Sequence, residues 1–395
     1  MSELPILQSF DTEEFLATYW QKKPCLIRQA LNGFETVLSP DELAGLACEE
    51  GVDSRVITGD AEKNDWALKD GPFNELFFEN FPKKSSTLLV QRVDSLVPEI
   101  ADMRSLFSFI PAWRFDDVMV SFAEDQGSVG PHIDNYDVFL LQGMGKRHWQ
   151  VEESPVLAEE DLLENCPVRV LKVFRPKYEW TLETGDILYL PPRWAHHGVS
   201  VGRGMTYSFG FRSPSVSEML LGAAEHSLVK HTEKDRYIDP DLNATEQSPR
   251  IGQALIDRVK KQLIQAIQEE NESHFWLGRV MTSNPNAPTD EELHDYMEVT
   301  LEEAQLFLED NKGVLERAEE VKCAYYCAED QVHAYIHGHG FQLKMEDTPF
   351  IDTLFTHAKI SIEALFPFLE ESSERKEILI NWMRRGYFRI IEEDI

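Results

Sequence analysis

Near the middle of the first half of the chain lies the stretch Gly130-Pro131-His132-Ile133-Asp134-Asn135-Tyr136-Asp137-Val138-Phe139. Side chains alternate between the two faces of an extended strand, so His132 and Asp134 are expected on the same side. A third ligand is expected from Pro191-Pro192-Arg193-Trp194-Ala195-His196-His197-Gly198. Two histidines and a carboxylate on one side of an ion, with open positions opposite, suit ferrous iron in an oxygenase.

Short strand-like runs surround this stretch, from Asp116 to Arg212. They cover residues 118–122, 138–142, 148–151, 186–190 and 206–211, with turn residues at 143–145 and 184–186. Repeated short strands punctuated by glycine and proline predict a small antiparallel barrel or jelly roll. The mouth of such a barrel can hold a metal ion and a small ligand.

The segment before this region is predicted to mix helices and strands. A helix is expected at 13–20 and strands at 23–28, 55–57 and 86–91. Another helix is predicted to begin after Ser39, with Pro40 in its first position and Glu42 at the distance of a capping box.

Helical patterns follow Arg212. Residues 217–231 are predicted to be helical, and residues 251–268 form an amphipathic helix with an apolar stripe. Residues 284–289 are rich in proline and asparagine, which predicts a linker. The mixed tail beyond it is predicted to contain strands at 324–326, 332–336, 341–343 and 387–390, and helices at 350–355, 360–366 and 377–383.

The chain of 395 residues is strongly acidic, with a net charge of −32 from 70 acidic and 38 basic residues. This balance argues against nucleic-acid binding through a basic surface and is compatible with a basic protein partner, although it also simply keeps an enzyme soluble. Five scattered cysteines predict a reduced intracellular protein. Without a recognisable leader or an apolar run of membrane-spanning length, a cytoplasmic protein is expected.

The sequence resembles the bacterial ribosomal oxygenases, which belong to the cupin-type Jumonji-C (JmjC) oxygenases. The resemblance rests on 19–24, 130–139, 185–192 and 207–212. It implies a mixed α+β fold, with a double-stranded β-helix (jelly-roll, cupin) catalytic domain at 1–212. It further implies a helical dimerisation region at 213–283 and a winged-helix-like domain at 284–395, and hence a homodimer.

The resemblance implies that Fe(II) binds to His132, Asp134 and His196. His197 remains the alternative for the third position. It directly follows His196 and is expected to face the opposite way on a strand.

The co-substrates implied by the resemblance are 2-oxoglutarate and O₂. The far carboxylate of 2-oxoglutarate requires a cation, for which Arg147 is preferred over Lys146 because arginine binds carboxylates in a bidentate manner. The alternative is an exposed basic turn after Gly145. Ser121 is expected to add a hydroxyl group to the same carboxylate.

The resemblance also implies that Asp117, Met119, Tyr136 and Ser208 surround the target side chain. Asp117 suits a guanidinium group, and Met119 and Tyr136 suit its methylene stem. Asp117 fits equally well as a buried capping residue, and Met119 and Tyr136 fit equally well as core-filling side chains.

The resemblance implies that the activity is hydroxylation of an arginine β-carbon in a ribosomal large-subunit protein, the one numbered sixteen. Two rival hypotheses are a hydroxylase of another residue type or lysine demethylase, and a metal-binding cupin that acts only as an interaction module. Paired glutamates such as 291–292, 302–303 and 370–371 argue against nucleic-acid binding by the tail.

Overall fold

A computed structural model describes residues 6–7, 10–60, 65–230, 236–240, 251–268, 273–284, 289, 299–310 and 312–391. The chain divides into two compact units, Met1–Ser213 and Pro214–Ile395. The predicted linker lies mostly outside the described residues, at 285–288, as does the last residue of the helix predicted at 217–231.

The first unit is built on a ten-stranded sheet. Its strands are β1 (Ile6–Leu7), β2 (Cys25–Ile27), β3 (Ser54–Asp60), β4 (Asp65–Asp70), β5 (Ser86–Val90), β6 (Phe115–Ala123), β7 (Asp137–Val151), β8 (Tyr178–Glu183), β9 (Ile187–Leu190) and β10 (His196–Phe211). Their order is β1-β2-β9-β7-β10-β6-β5-β3-β4, and β8 also pairs with β7. All of these pairs are antiparallel except β1 with β2.

Short helices accompany the sheet: α1 (Thr12–Thr18), α2 (Pro40–Leu46), α3 (Glu75–Glu79) and α4 (Pro98–Asp102). The predicted capping box of α2 is present, since the Ser39 N–H donates to Glu42 Oε2 at 2.7 Å and the Glu42 N–H to Ser39 Oγ at 3.2 Å. These bonds satisfy two N–H groups that the first turn of a helix leaves without partners.

The strands predicted at 138–142 and 148–151 are a single strand, β7, so the turn predicted at 143–145 is wrong. Gly143 and Gly145 are needed for close approach to β10 and not for chain reversal. A Cβ on Gly143 would lie 2.3 Å from the Tyr207 ring, and one on Gly145 2.1 Å from Arg203 O. Gly145 also has a φ of +68°, a conformation that glycine adopts without strain.

A buried carboxylate fixes the start of β7. Asp137 is fully buried and accepts hydrogen bonds from Gln21 Nε2 at 2.9 Å, Arg114 Nη2 at 2.9 Å and Tyr189 Oη at 2.6 Å. Burial raises the pKa of this carboxyl group, and the three donors oppose the shift. Removing one partner of such a buried ion pair costs about 3–5 kcal/mol, so this network holds the end of the segment 130–136.

The second unit contains helices and two three-stranded sheets. The helices are α5 (Val216–Lys230), α6 (Gln253–Gln268), α7 (Ser273–Thr282), α8 (Leu301–Asp310), α9 (Thr348–Thr356), α10 (Ile362–Glu371) and α11 (Ser373–Arg384). The strands are β11 (Val314–Arg317), β12 (Cys323–Cys327), β13 (Gln331–Ile336), β14 (His339–Lys344), β15 (Lys359–Ser361) and β16 (Phe388–Ile391), paired in the orders β15-β11-β16 and β12-β13-β14.

A separate apolar core holds the second unit together, with Phe350, Trp382 and Phe388 fully buried. Helix α6 differs, because none of its residues is buried. Its apolar stripe includes Leu263 and Ile264, which are 60% and 55% exposed. No helix in the described parts of the chain is both long enough and apolar enough to cross a membrane.

Candidate active site

Three metal-ligating side chains converge in the first unit. One ligand atom from each of His132, Asp134 and His196 lies within 4.8 Å of the other two. Asp134 Oδ2 is 3.9 Å from His132 Nε2 and 3.5 Å from His196 Nε2. Two imidazole nitrogens and a carboxylate oxygen directed at a common point form a donor set for a divalent metal ion.

Backbone carbonyls orient both imidazoles. His132 Nδ1 lies 3.0 Å from Gly130 O, and His196 Nδ1 lies 2.8 Å from Trp194 O. A carbonyl oxygen only accepts hydrogen bonds, so the proton of each ring is on Nδ1. The lone pairs of both Nε2 atoms are thereby left to face Asp134, which is the arrangement that metal-ligating histidines require.

His132 and Asp134 do not lie on a regular strand, contrary to the prediction from alternation. Residues 130–136 form an irregular segment in which His132 makes an isolated antiparallel bridge to His196 at the start of β10. Gly130, with a φ of +83°, precedes the bridge, and a Cβ there would approach Val170 Cγ2 to 2.7 Å. Close packing forces this segment out of regular strand geometry.

Arg193 ties the two ligand-bearing segments together. Its backbone N–H donates to Asp134 O at 2.7 Å, and its Nη1 donates to Asn135 Oδ1 at 3.0 Å and to Glu160 Oε1 at 2.7 Å. Arg193 occupies the first variable position of the Pro-Pro-x-Trp-x-His step, where its sequence context alone did not indicate this role. Contacts to Asp134 and to its neighbour Asn135 fix the carboxylate-bearing loop.

His197 is directed elsewhere. Its Nε2 is 2.9 Å from Ser128 Oγ, and it does not belong to the converging set. Burial lowers the pKa of both His196 and His197 to about 4, helped for His196 by the nearby His132 and for His197 by Arg147. Both imidazoles are therefore neutral near pH 7, but only His196 faces Asp134.

A cavity of about 440 Å³ opens beside the three ligands. Cross-strand rows form part of its wall: Leu89, Ser121 and Thr206 are paired in one row, and Met119, Ser208 and Leu140 in the next. The lining also includes Arg55, Ile57, Leu68, Gln91, Val129, Ile133, Tyr136, Val138, Arg147, Trp149, Pro167, Val168 and Arg169. The cavity therefore combines apolar walls with many polar and charged side chains, which suits a small polar ligand.

Arg147 is the buried cation of this cavity and is only 4% exposed. Its Nη2 donates to Gly198 O at 3.2 Å, and its Nε has no hydrogen-bond partner among the described residues. Burial lowers its pKa to about 10, which leaves it charged at neutral pH. The neighbouring Lys146 instead pairs with Glu183 in an exposed contact at 2.5 Å. A buried cation with a donor to spare is suited to an anionic ligand.

The four residues expected around a target side chain occupy different positions. Met119, Tyr136 and Ser208 line the cavity, with Tyr136 37% exposed. Asp117 is not among the lining residues, and its Oδ2 accepts the Arg92 N–H at 3.3 Å. Burial, followed by the negative charges of Asp94 and Asp116, raises the pKa of Asp117 to about 7.

Gln91 connects Asp117 to the cavity. In the amide orientation that satisfies both neighbours, its nitrogen donates to Asp117 Oδ2 at 3.3 Å and its oxygen accepts from Arg55 Nη2 at 2.5 Å. Arg55 and Gln91 lie in runs predicted to be strands, but no functional role was predicted for them. Because Arg55 and Gln91 alternate with buried Val56 and Val90, the strand face that carries them was predictable. Their contact with each other depends on the pairing of β3 with β5, which local sequence does not show.

Comparisons with known proteins identify relatives of this chain. A family model described as a JmjC domain matches residues 102–219. A protein of Escherichia coli (strain K12) named ribosomal protein uL16 3-hydroxylase is 34% identical over 275 residues, which cover 69% of this chain and 71% of that protein. The chain belongs to the ribosomal oxygenase family.

Further relatives extend the likeness to this family. A probable ribosomal oxygenase of Haemophilus influenzae is 37% identical over 238 residues, covering 59% of this chain and 55% of that protein. The E. coli ribosomal oxygenase YcfD, solved in complex with cobalt and 2-oxoglutarate, is 27% identical, with a TM-score of 0.75 and coverage of 98% of this chain and 99% of that one. The mixed α and β architecture with a large antiparallel sheet is thus the JmjC cupin fold of the ribosomal oxygenases.

Proposed function

We propose that this chain is an Fe(II)- and 2-oxoglutarate-dependent dioxygenase that hydroxylates the β-carbon of an arginine in the large-subunit ribosomal protein uL16. The observation that carries the proposal is the convergence of His132, Asp134 and His196 in the cavity that also contains buried Arg147. Family membership, and the name of the E. coli relative, support the choice of ribosomal substrate.

Iron fits the three residues. The unprotonated Nε2 atoms of His132 and His196 and the Asp134 carboxylate provide two nitrogen donors and one oxygen donor, a set that suits ferrous iron. When bound, iron and 2-oxoglutarate supply the oxidation of an unactivated C–H bond by O₂. The contribution of the chain is to orient the ligands and the two substrates and to exclude water.

The 2-oxo acid fits the buried donors of the cavity. We assign its far carboxylate to Arg147, whose Nε has no partner among the described residues, with Ser121 as an additional hydroxyl donor. Ser121 is 5% exposed, and its hydroxyl makes only a long contact, of 3.5 Å, to Thr206 O. Charge-assisted bonds are strongest in a site that excludes water.

The target side chain is assigned to Asp117, Met119, Tyr136 and Ser208. Tyr136 and Met119 offer apolar surface at the cavity for methylene groups, and Ser208 adds a hydroxyl group. Asp117 is the counter-ion for the guanidinium group in this proposal. A cation beside Asp117 favours its ionised form and offsets the burial that raises its pKa.

The partner is a basic protein of the large ribosomal subunit and not nucleic acid. The net charge of −32 favours encounter with a cationic protein and disfavours contact with phosphates. A ribosomal substrate also implies a reaction in the cytoplasm.

The proposed organisation has three parts: a catalytic domain at 1–212, a helical dimerisation region at 213–283 and a winged-helix-like domain at 284–395. Helix α6 supports a homodimer because its apolar stripe lacks buried residues. The combination of α9, α10 and α11 with small sheets supports the winged-helix-like assignment.

The deciding experiment is intact-mass analysis of ribosomal proteins from cells that have or lack the gene. The expected result is a gain of one oxygen atom on uL16 that depends on the gene and is restored by the wild-type chain but not by Asp134→Ala. Fragmentation of the modified protein then locates the oxygen on an arginine and its β-carbon. A uL16 mass that does not change with the gene would contradict the ribosomal assignment.

Two in vitro controls separate the rival activities. Iron- and 2-oxoglutarate-dependent release of succinate distinguishes an enzyme from a metal-binding interaction module. Loss of a methyl group from a methylated lysine peptide, in place of oxygen gain on uL16, would indicate a demethylase.

A further inference from the structure

Arg147 is held between one aromatic ring and one glycine. Its guanidinium carbon lies 5.1 Å from the centroid of the Trp149 ring, and its Nη2 donates to Gly198 O at 3.2 Å. Trp149 on β7 is paired directly with Gly198 on β10. A cation stacked on a buried ring is restricted to the ring face, so these contacts fix the depth of the guanidinium group in the cavity.

Gly198 is required for this packing. A Cβ at that position would lie 2.6 Å from Arg147 Nε and 2.7–2.8 Å from Cζ3 and Cε3 of Trp149. Real side chains do not approach so closely, so any other residue would displace either the guanidinium group or the indole ring. The absence of a side chain at Gly198 therefore sets the position of both.

Trp149 also extends toward the metal ligands. Its ring centroid lies 5.8 Å from that of His196, and the side chain is 4% exposed while lining the cavity. One indole ring thus contacts Arg147 and lies near His196. A molecule that binds the metal at one end and Arg147 at the other must match the distance between these two sites, which the Trp149 ring helps to set.

We propose that Trp149 and Gly198 are positioning residues that select the chain length of the 2-oxo dicarboxylic acid. This inference rests on the proposed function, in which the 2-oxo end of the acid binds the metal and the far carboxylate binds Arg147. With both ends fixed, an added or missing methylene group misplaces one of them. One methylene group is typically worth about 10- to 200-fold in selectivity.

The test uses the full chain loaded with Mn(II), in the absence of O₂, and measures dissociation constants by calorimetry. The probes are oxaloacetate, 2-oxoglutarate and 2-oxoadipate, which differ by single methylene groups. The variants are Trp149→Phe and Gly198→Ala. Trp180→Phe is the matched control, since Trp180 is paired opposite Trp149 on β8 and is buried outside the cavity lining that the structure describes.

Trp149→Phe is expected to weaken 2-oxoglutarate binding about tenfold and to reduce the preference for it over 2-oxoadipate about fivefold, because the smaller ring leaves room for Arg147 to retreat. Gly198→Ala is expected to shift the preference toward oxaloacetate, since its Cβ pushes Arg147 from the β10 side. Trp180→Phe should leave the ratios unchanged.

Equal weakening of all three acids in both Trp149→Phe and Gly198→Ala, with unchanged ratios, would overturn the inference while leaving the proposed function intact. A wild-type protein that binds Mn(II) but none of the three acids would instead overturn the proposed co-substrate, and the inference with it.

Discussion

His132 and His196 exchange both of their backbone hydrogen bonds, with each N–H donating to the other residue's carbonyl oxygen at 3.0 Å. This single bridge, between an irregular segment and the first residue of β10, brings the imidazole centroids to 4.2 Å. The backbone bridge therefore holds the two ligand-bearing residues side by side. A site arranged in this way avoids most of the ordering cost of binding.

His196 and His197 are expected to differ sharply in metal affinity. His196→Ala removes a donor that faces Asp134 and should weaken Mn(II) or Co(II) binding by more than about 100-fold, whereas His197→Ala removes a group bonded to Ser128 and should weaken it by less than about tenfold. Titration calorimetry measures both. The reverse order of effects would exclude His196 as the third ligand.

Metal binding is expected to stabilise the folded protein, because the three ligands converge only in the folded chain. At a free Mn(II) concentration of about 100 times the dissociation constant, the free energy of unfolding should rise by about 2.7 kcal/mol. Thermal unfolding with Mn(II) or with a chelator measures the difference. His132→Ala should abolish it, and a full shift in that variant would contradict the proposed ligand set.

Arg147 and its neighbour Lys146 offer a matched pair for the co-substrate. Arg147→Gln is expected to raise the KM for 2-oxoglutarate at least about 100-fold, since a charge-assisted bidentate contact is lost from a buried site. Lys146→Gln removes only an exposed pair with Glu183 and should change the KM less than about twofold. Steady-state kinetics with the uL16 substrate provide the comparison, and similar KM values for the two variants would argue for a different cation.

Asp117 is expected to make stability depend on pH. Its pKa rises from 3.8 to about 7 on folding, so between these values the folded state binds more protons than the unfolded chain. The free energy of unfolding therefore falls as pH rises through this range. The full destabilisation caused by the ionised, buried Asp117 carboxylate is present above about pH 7. Asp117→Asn should stabilise the protein at about pH 8 by on the order of 1–3 kcal/mol more than at about pH 4.

Chemical denaturation at the two pH values measures this difference, with the exposed Asp53→Asn as the control. The same Asp117→Asn variant is expected to weaken substrate binding, because the counter-ion of the guanidinium group is lost. A stability gain equal at both pH values would show that another group controls the pH dependence.

The exposed stripe of α6 is expected to mediate self-association. Ile264 is 55% exposed, and Ile264→Glu places a charge in a stripe that would be buried between two copies. Sedimentation analysis should show a dimer for the wild type and a monomer for this variant. Gln265→Glu, on the opposite face of the helix, adds the same charge and should remain dimeric; a monomeric wild type would contradict the proposal.

Local sequence patterns predicted most strand positions but not their connections. Runs near Val118, Leu188 and Tyr207 alternate or are continuously apolar, and all three lie in strands of the sheet. The pair Gly143 and Gly145 signals a turn in isolation, yet it permits close contact with Tyr207 and Arg203, which only the folded neighbour strand reveals. Strand β4 was missed because three of the six residues in Asp65–Asp70 are charged. Strand β8 (Tyr178–Glu183) alternates apolar with polar residues and was recognisable from its sequence.

Residues of the candidate site could be predicted from the sequence where they lie in recognisable motifs. The H-x-D pair and the Pro-Pro-x-Trp-x-His step indicated His132 and Asp134 together with His196, with His197 as the alternative third ligand. No role in the site was predicted for Arg55, Gln91 and Trp149, because nothing in the local sequence distinguishes a strand residue that faces a cavity from one that faces a core. Their involvement follows from the pairing of distant strands, which is a property of the tertiary structure.

Strand β7 restricts which sequence changes the protein can tolerate. One uninterrupted strand carries Asp137, which anchors the metal-binding segment, at one end and Arg147 and Trp149 toward the other. Deleting or inserting a single residue between them reverses the facing of one end relative to the other. Among related sequences, β7 is therefore expected to vary by replacement of one amino acid by another, with insertions and deletions in the connections outside it.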